Sequence, residues 1–170
     1  MFSFLFSKNE LSAQHKSIYD FKVESLEGGE IDFAKFKGKK ILIVNTASKC
    51  GLTPQYEGLE KLHEQFGEEL IIVGFPANNF MKQEPGTDKE IASFCQKNYG
   101  VSFLMASKIS VKGKNQHPIY TWLTQKRYNN FKDNKVKWNF QKYLIDEEGN
   151  LIAVISPSTK PQSDKIIKLL

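Results

Sequence analysis

The hydrophobic pattern changes period several times along the chain, and each change marks an element. Residues 17–24 (SIYDFKVE) alternate like a half-exposed strand, and Glu27-Gly28-Gly29-Glu30 follows as a turn. Lys39-Lys40 then leads into Ile41-Leu42-Ile43-Val44-Asn45, a β-branched run without alternation, as expected of a strand buried on both faces. Beyond Gly51, Tyr56, Leu59, Leu62, His63 and Phe66 recur at helical spacing, with Thr53 placed to cap and Pro54 to open the first turn. A second unalternating run, Leu70-Ile71-Ile72-Val73-Gly74-Phe75, comes next. Strand, helix and strand within roughly 35 residues make a βαβ unit, which calls for parallel strands and a right-handed crossover.

The second half predicts a helix over residues 88–99, with Thr87 and Glu90 as a capping box and Gly100 as its terminator. Ile109-Ser110-Val111 reads as a short strand closed by Gly113. Residues 117–126 form a helix with Pro118 near its start. Residues 142–146 and 151–155 are two strands joined by the turn Glu147-Glu148-Gly149-Asn150, and residues 164–170 make a short final helix. No repeat or long linker interrupts this order, so residues 17–170 form one α/β domain behind a loosely held extension, residues 1–16. The apolar start of that extension, residues 1–7, is shorter than the roughly 7–15 residues of a secretory core and lacks a basic lead. No run approaches the ~20 apolar residues of a membrane span. A cytoplasmic protein with no integral membrane segment is expected.

Composition changes this picture little. The 170 residues are 40% hydrophobic and 25% charged, which suits an ordinary globular domain. A net charge of +5 raises the question of nucleic acid. The lysines, however, are scattered, with small clusters over residues 35–40 and 132–137, and no recognition motif accompanies them. Solvated lysines, with a modest attraction to anionic surfaces, are the reading, and nucleic acid is not a partner. Two cysteines are too few for a secreted disulfide scaffold, and His15, His63 and His117 have no ligand spacing to either. Neither a metal nor a cofactor is called for.

Cys50 falls at a strand-to-helix junction, on the edge of a parallel sheet where ligands bind. A sulfur there meets unpaired N–H groups and the positive end of a helix dipole, surroundings that favour the ionised thiol, the form that attacks peroxide oxygen. A small buried packing residue is the alternative.

The segment Asn45-Thr46-Ala47-Ser48-Lys49-Cys50-Gly51-Leu52-Thr53-Pro54-Gln55-Tyr56 resembles the active-site motif of cysteine-containing glutathione peroxidases. Phe75-Pro76-Ala77-Asn78-Asn79-Phe80 with Gln83-Glu84-Pro85-Gly86 resembles the second signature of that family, and Lys137-Trp138-Asn139-Phe140 its third. The resemblance implies a thioredoxin-like fold, a central mixed β-sheet flanked by helices, and a catalytic tetrad of Cys50, Gln83, Trp138 and Asn139. The Gln83 amide and Trp138 indole are donors able to stabilise a thiolate or hold a peroxide oxygen, and Asn139 can orient them. Cys95 matches the position of the resolving cysteine in the thioredoxin-dependent branch. On helical periodicity it shares a face with Ile91 and Phe94, so burial and a segment 87–100 that moves on oxidation are expected.

The resemblance thus implies a thiol peroxidase acting on hydrogen peroxide and organic or lipid hydroperoxides. Its Cys50 sulfenic acid would condense with Cys95, and thioredoxin, or less favourably glutathione, would reduce the disulfide. The short stretch before Trp138 favours a monomer. Ala77, Asn79 and Met81 depart from the usual Phe-Pro-Cys-Asn-Gln-Phe-Gly, and Phe103-Leu104-Met105 from the usual Phe-Pro form. A peroxiredoxin would carry Pro and Thr where this chain has Thr46 and Ala47, and a dithiol reductase would carry cysteine at Thr53. A peroxide sensor that relays oxidation to a client thiol shares the first chemical step and stays open.

Overall fold

The computed structural model describes residues 17–170; the extension 1–16 expected from the sequence lies outside them. The chain opens with a 3-10 turn, Ile18–Asp20, and a hairpin of β1 (Lys22–Glu24) and β2 (Glu30–Asp32). The central sheet contains β3 (Lys40–Thr46), β4 (Leu70–Pro76), β5 (Leu104–Met105), β6 (Lys142–Ile145) and β7 (Leu151–Ile155), in the order β5-β4-β3-β6-β7. β3, β4 and β5 run parallel, whereas β6 is antiparallel to β3 and β7 to β6. The sheet is therefore mixed, with β3, the strand that leads toward Cys50, at its centre.

Helices cover both faces, which explains the unalternating runs. On one face Ile41, Ile43, Val73, Phe75, Tyr143 and Ile145 pack with Ile119, Trp122 and Leu123 of α3 (Pro118–Thr124). On the other, Leu42, Val44, Ile72 and Leu144 pack with Tyr56, Leu59 and Leu62 of α1 (Gln55–Phe66) and with Ile91 and Cys95 of α2 (Asp88–Tyr99). Ile41, Leu42, Ile43 and Val44 are fully buried. Each such side chain contributes roughly 1.5–3 kcal/mol relative to exposure, so β3 is firmly anchored. No helix of the described residues is long and apolar enough to cross a membrane.

The predicted α2 is found with its bounds intact. The Thr87 hydroxyl accepts from Glu90 N, the Glu90 carboxylate accepts from Thr87 N, and Gly100 closes the helix in a left-handed conformation. Other elements differ. Residues 17–20 coil into a turn instead of extending the strand, because Ser17 and Asp20 form a capping box of their own. Residues 109–111 are not a strand. Ile109 N–H donates to the O of Pro76, the last residue of β4, and Val111 N–H to the Asn79 side chain. The strand is Leu104–Met105, too short to show a period. The helix predicted over 117–126 breaks at Gln125, and α4 (Lys126–Asn129) follows. The last helix is a single turn, α5 (Asp164–Ile167), capped by Ser163.

Candidate active site

β3 ends at Thr46, and the chain crosses the sheet edge through residues 47–54 before α1 begins at Gln55. Thr53 was expected to cap that helix, but α1 opens without a side-chain cap. The Thr53 hydroxyl instead accepts from Cys50 N at 3.0 Å and donates to Ala47 O at 2.8 Å, closing the loop on itself. Cys50 therefore sits in a turn ahead of the helix. Its half-buried sulfur accepts the Leu52 backbone N–H at 3.3 Å. A backbone donor aimed at sulfur stabilises developing negative charge on it.

Two distant segments join this loop. Gln83 closes a tight turn in which its N–H meets Phe80 O at 3.2 Å, with Met81 and Lys82 both left-handed, at φ 53° and 52°. That backbone costs a non-glycine residue roughly 1–2 kcal/mol, and the usual glycine at 81 would relieve it. Met81 is thereby turned outward and is 77% exposed. Gln83 O accepts from Lys49 N–H at 3.0 Å, tying the turn to the residue beside Cys50. Its side-chain Oε1 accepts from Asn139 Nδ2 at 2.9 Å, which leaves the Gln83 amide N–H₂ as the free-facing donor. Asn139 is fully buried, and the Trp138 ring lies 5.3 Å from that of Phe80.

Residues that sequence reasoning did not single out hold this arrangement. Asn45, at the end of β3, donates from Nδ2 to Trp138 O at 3.0 Å, and its own carbonyl receives Phe140 N–H. Phe140 is left-handed at φ 66°. Lys142, fully buried on β6, donates to Phe140 O at 2.7 Å and Pro157 O at 3.2 Å. Gln55, the first residue of α1, donates to the same Pro157 carbonyl at 2.8 Å. Burial lowers the Lys142 amine to about 7. An interrupting lysine in an otherwise apolar strand was the one legible sign of it.

Asn79, one of the departures, has both ends of its amide engaged by the 110–111 segment, so its work is structural. Ala77 is buried directly after β4, its N–H on Thr46 O at 3.1 Å. Glu84 is 1% exposed, and burial raises its carboxyl above the ordinary range.

Cys95 lies on the inner face of α2, 3% exposed, as its periodicity required. Burial is the main reason its thiol is pushed up to about 11, against a smaller opposing effect of the neighbouring Tyr56 hydroxyl. Both cysteines are free thiols. Gln83 and Asn139 thus meet directly, Trp138 is held beside them, and Cys50 joins through Lys49, while Cys95 belongs to a separate, apolar setting.

Comparison with known proteins bears on the family and the fold. The sequence profile of the family described as Glutathione peroxidase matches residues 18–124. The chain is 49% identical over 158 residues to the glutathione peroxidase homolog BsaA of Staphylococcus epidermidis, covering 91% of this chain and 99% of that one. It is 47% identical to the glutathione peroxidase-like peroxiredoxin gpx1 of Schizosaccharomyces pombe, covering 85% and 92%. The crystal structure of T. cruzi GPX1 superposes with a TM-score of 0.67 at 31% identity, covering 91% of this chain and 93% of that one. A thioredoxin family protein from Chlorobium tepidum, at 18% identity and a TM-score of 0.63, shares the fold. The thioredoxin-like sheet and the extent of these matches place the chain in the glutathione peroxidase family.

Proposed function

We propose that the protein is a thiol peroxidase in which Cys50 is the peroxidatic residue, Gln83, Trp138 and Asn139 serve its chemistry, and Cys95 is the resolving thiol. The observation that carries the reading is the convergence of three remote segments on one sheet edge. The Cys50 loop, the 80–83 turn and the 138–140 turn are joined through Lys49 to Gln83 and Gln83 to Asn139. The Cys50 thiolate attacks the terminal hydroperoxide oxygen, the O–O bond breaks, and the alkoxide leaves as an alcohol after protonation, with Cys50 left as a sulfenic acid. The Gln83 amide and Trp138 indole are the donors for the charge that shifts from sulfur to oxygen.

Cys95 then attacks the sulfenic sulfur, a disulfide forms, and water leaves. Cys95 is buried on the inner face of α2, so the resolving step is proposed to draw that segment from its seat to meet the disulfide geometry. Thioredoxin is the proposed reductant, because an accessible intramolecular disulfide suits a dithiol partner. The short stretch from α4 to Trp138 supports a monomer.

Hydrogen peroxide consumption with thioredoxin and its reductase, or with glutathione, tests this in the wild type, Cys50→Ser and Cys95→Ser. Expected are many turnovers with thioredoxin in the wild type, none in Cys50→Ser, and a stalled cycle in Cys95→Ser. A single turnover in the wild type would support a sensor instead. Full thioredoxin-linked activity in Cys95→Ser would refute the two-cysteine cycle.

A further inference from the structure

The turn that carries Trp138 and Asn139 is held by a residue whose presence core packing does not explain. Lys142 occupies an inner position of β6, between Val44 of β3 and Ile155 of β7, and is fully buried. Its neighbours on that strand, Tyr143, Leu144 and Ile145, are buried apolar residues. A buried amine gives up its water, and such groups normally persist beside a carboxylate. Lys142 forms no ion pair among the described residues. Two neutral carbonyls accept from it instead, that of Phe140 at 2.7 Å and that of Pro157 at 3.2 Å. An apolar side chain would fill the same place without the cost of burying a polar group, so stability is a poor reason for a lysine here.

Both carbonyls lie on paths that lead to the proposed site. Phe140 follows Asn139, and its backbone is left-handed at φ 66°, a conformation that a phenylalanine keeps only when its surroundings impose it. Lys142 grips the carbonyl of that residue, and Asn45 O accepts its N–H at 2.6 Å. On the other arm, Pro157 O also accepts the Gln55 amide at 2.8 Å, and Gln55 is the first residue of α1. Gln55 N–H donates to Leu52 O at 2.9 Å, and Leu52 N–H to the Cys50 sulfur at 3.3 Å. From Phe140 the path continues through Asn139, whose Nδ2 donates to Gln83 Oε1 at 2.9 Å. Gln83 O then accepts from the N–H of Lys49, the residue before Cys50, at 3.0 Å. With the backbone between neighbours, these bonds close a ring that includes the sulfur. Its other members lie in loops, turns or the first turn of a helix, and Lys142 alone stands on a strand of the central sheet.

We infer that Lys142 is a positioning residue of peroxide reduction: by tying Phe140 O to Pro157 O, it fixes the Trp138–Asn139 turn relative to the helix that follows Cys50. This rests on the roles proposed above for Cys50, Gln83, Trp138 and Asn139. Lys142 acts through the turn and the helix, not on the peroxide itself. What it sets is the separation between the attacking sulfur and the donors that meet charge on the departing oxygen. That charge develops only as the O–O bond breaks. A small displacement of the donors therefore slows attack on a peroxide far more than a reaction of the same sulfur that puts no charge on oxygen.

The test compares two such reactions of Cys50 in the reduced full-length chain. Oxidation by hydrogen peroxide is followed by stopped flow. Alkylation by iodoacetamide, in which the sulfur displaces iodide from carbon, is followed by mass spectrometry of the Cys50 peptide. Lys142→Met keeps an extended side chain and removes its donors. It should slow the peroxide reaction by about 10- to 10²-fold and leave alkylation within about twofold of wild type. Gln55→Leu cuts the same ring at the start of α1 and should slow the peroxide reaction in the same selective way. It stands in for Lys142→Met should that variant not fold. In the double variant the two losses should not multiply, because both break one connection. A Lys142→Met protein that reacts with peroxide at the wild-type rate would overturn the assignment. So would equal losses in the two reactions, which a general loosening of the fold produces, and so would losses that multiply in full. If wild-type Cys50 itself reacted with peroxide no faster than an ordinary exposed cysteine, the failure would belong to the proposed function.

Discussion

Replacing Lys142 with methionine should change how stability depends on pH. Lys142 is the one lysine or arginine among the described residues that is buried, and it has no carboxylate partner there. Its amine is lowered to about 7 by burial, from an ordinary lysine value near 10.4. Between those pH values the unfolded chain binds a proton at Lys142 that the folded chain does not. Stability therefore rises with pH across that window, by at most about 1.4 kcal/mol per pH unit. Integrated from about pH 7.5 to about pH 9.5, the gain is roughly 2.5 kcal/mol. Lys142→Met removes this gain, and it also removes the donor to Phe140 O, an offset of roughly 1–3 kcal/mol that does not vary with pH. Urea unfolding of both proteins at several pH values, with equal m-values as the check on comparability, isolates the effect because every other titrating group cancels in the difference. The wild type should gain on the variant steadily as pH rises. Stability curves that run parallel through this range would refute the reasoning and mean that Lys142 stays charged in its pocket.

Three further substitutions probe loop and turn geometry. Thr53→Val keeps the shape but deprives Cys50 N–H and Ala47 O of their shared partner, so it should cost roughly 1–3 kcal/mol of stability and slow peroxide attack by about tenfold, as read by urea unfolding and stopped-flow oxidation. Gly149→Ala forces a Cβ to 2.6 Å from the Tyr19 ring at a φ of +87°, whereas Gly28→Ala, at φ +98°, meets nothing within 4 Å. The former should lower Tm by several degrees more than the latter in calorimetry; equal losses would show that backbone strain, and not the Tyr19 contact, is the larger effect.

Much of the fold was legible because its signals are local. The buried runs at 41–45 and 70–75, the Thr87 and Glu90 box and the αL Gly100 each depend on neighbours in sequence, and they appear where they were expected. What was misread depended on partners far away. Residues 109–111 have strand-like composition, but Pro76 and Asn79 take their backbone donors. Thr53 has the character of a cap, but its hydroxyl is taken by Cys50 N–H and Ala47 O, and the helix opens without a side-chain cap. Met81 and Lys82 are poor residues for left-handed backbone, and only the closed turn from Phe80 to Gln83 holds them there.

By itself the sequence determined the βαβ core, the family, and which side chains are chemically able to take part. A thiol, an amide and an indole are recognisable wherever they stand. The tertiary structure alone decided that Gln83 meets Asn139 across 56 positions, that Asn45 and Lys142 brace the Trp138 turn, and that Glu84 is enclosed between two cysteine-bearing segments. The physical reason is that burial and hydrogen bonding between remote segments depend on how the layers pack. Local pattern encodes which face of an element turns inward, but not which polar group it meets there.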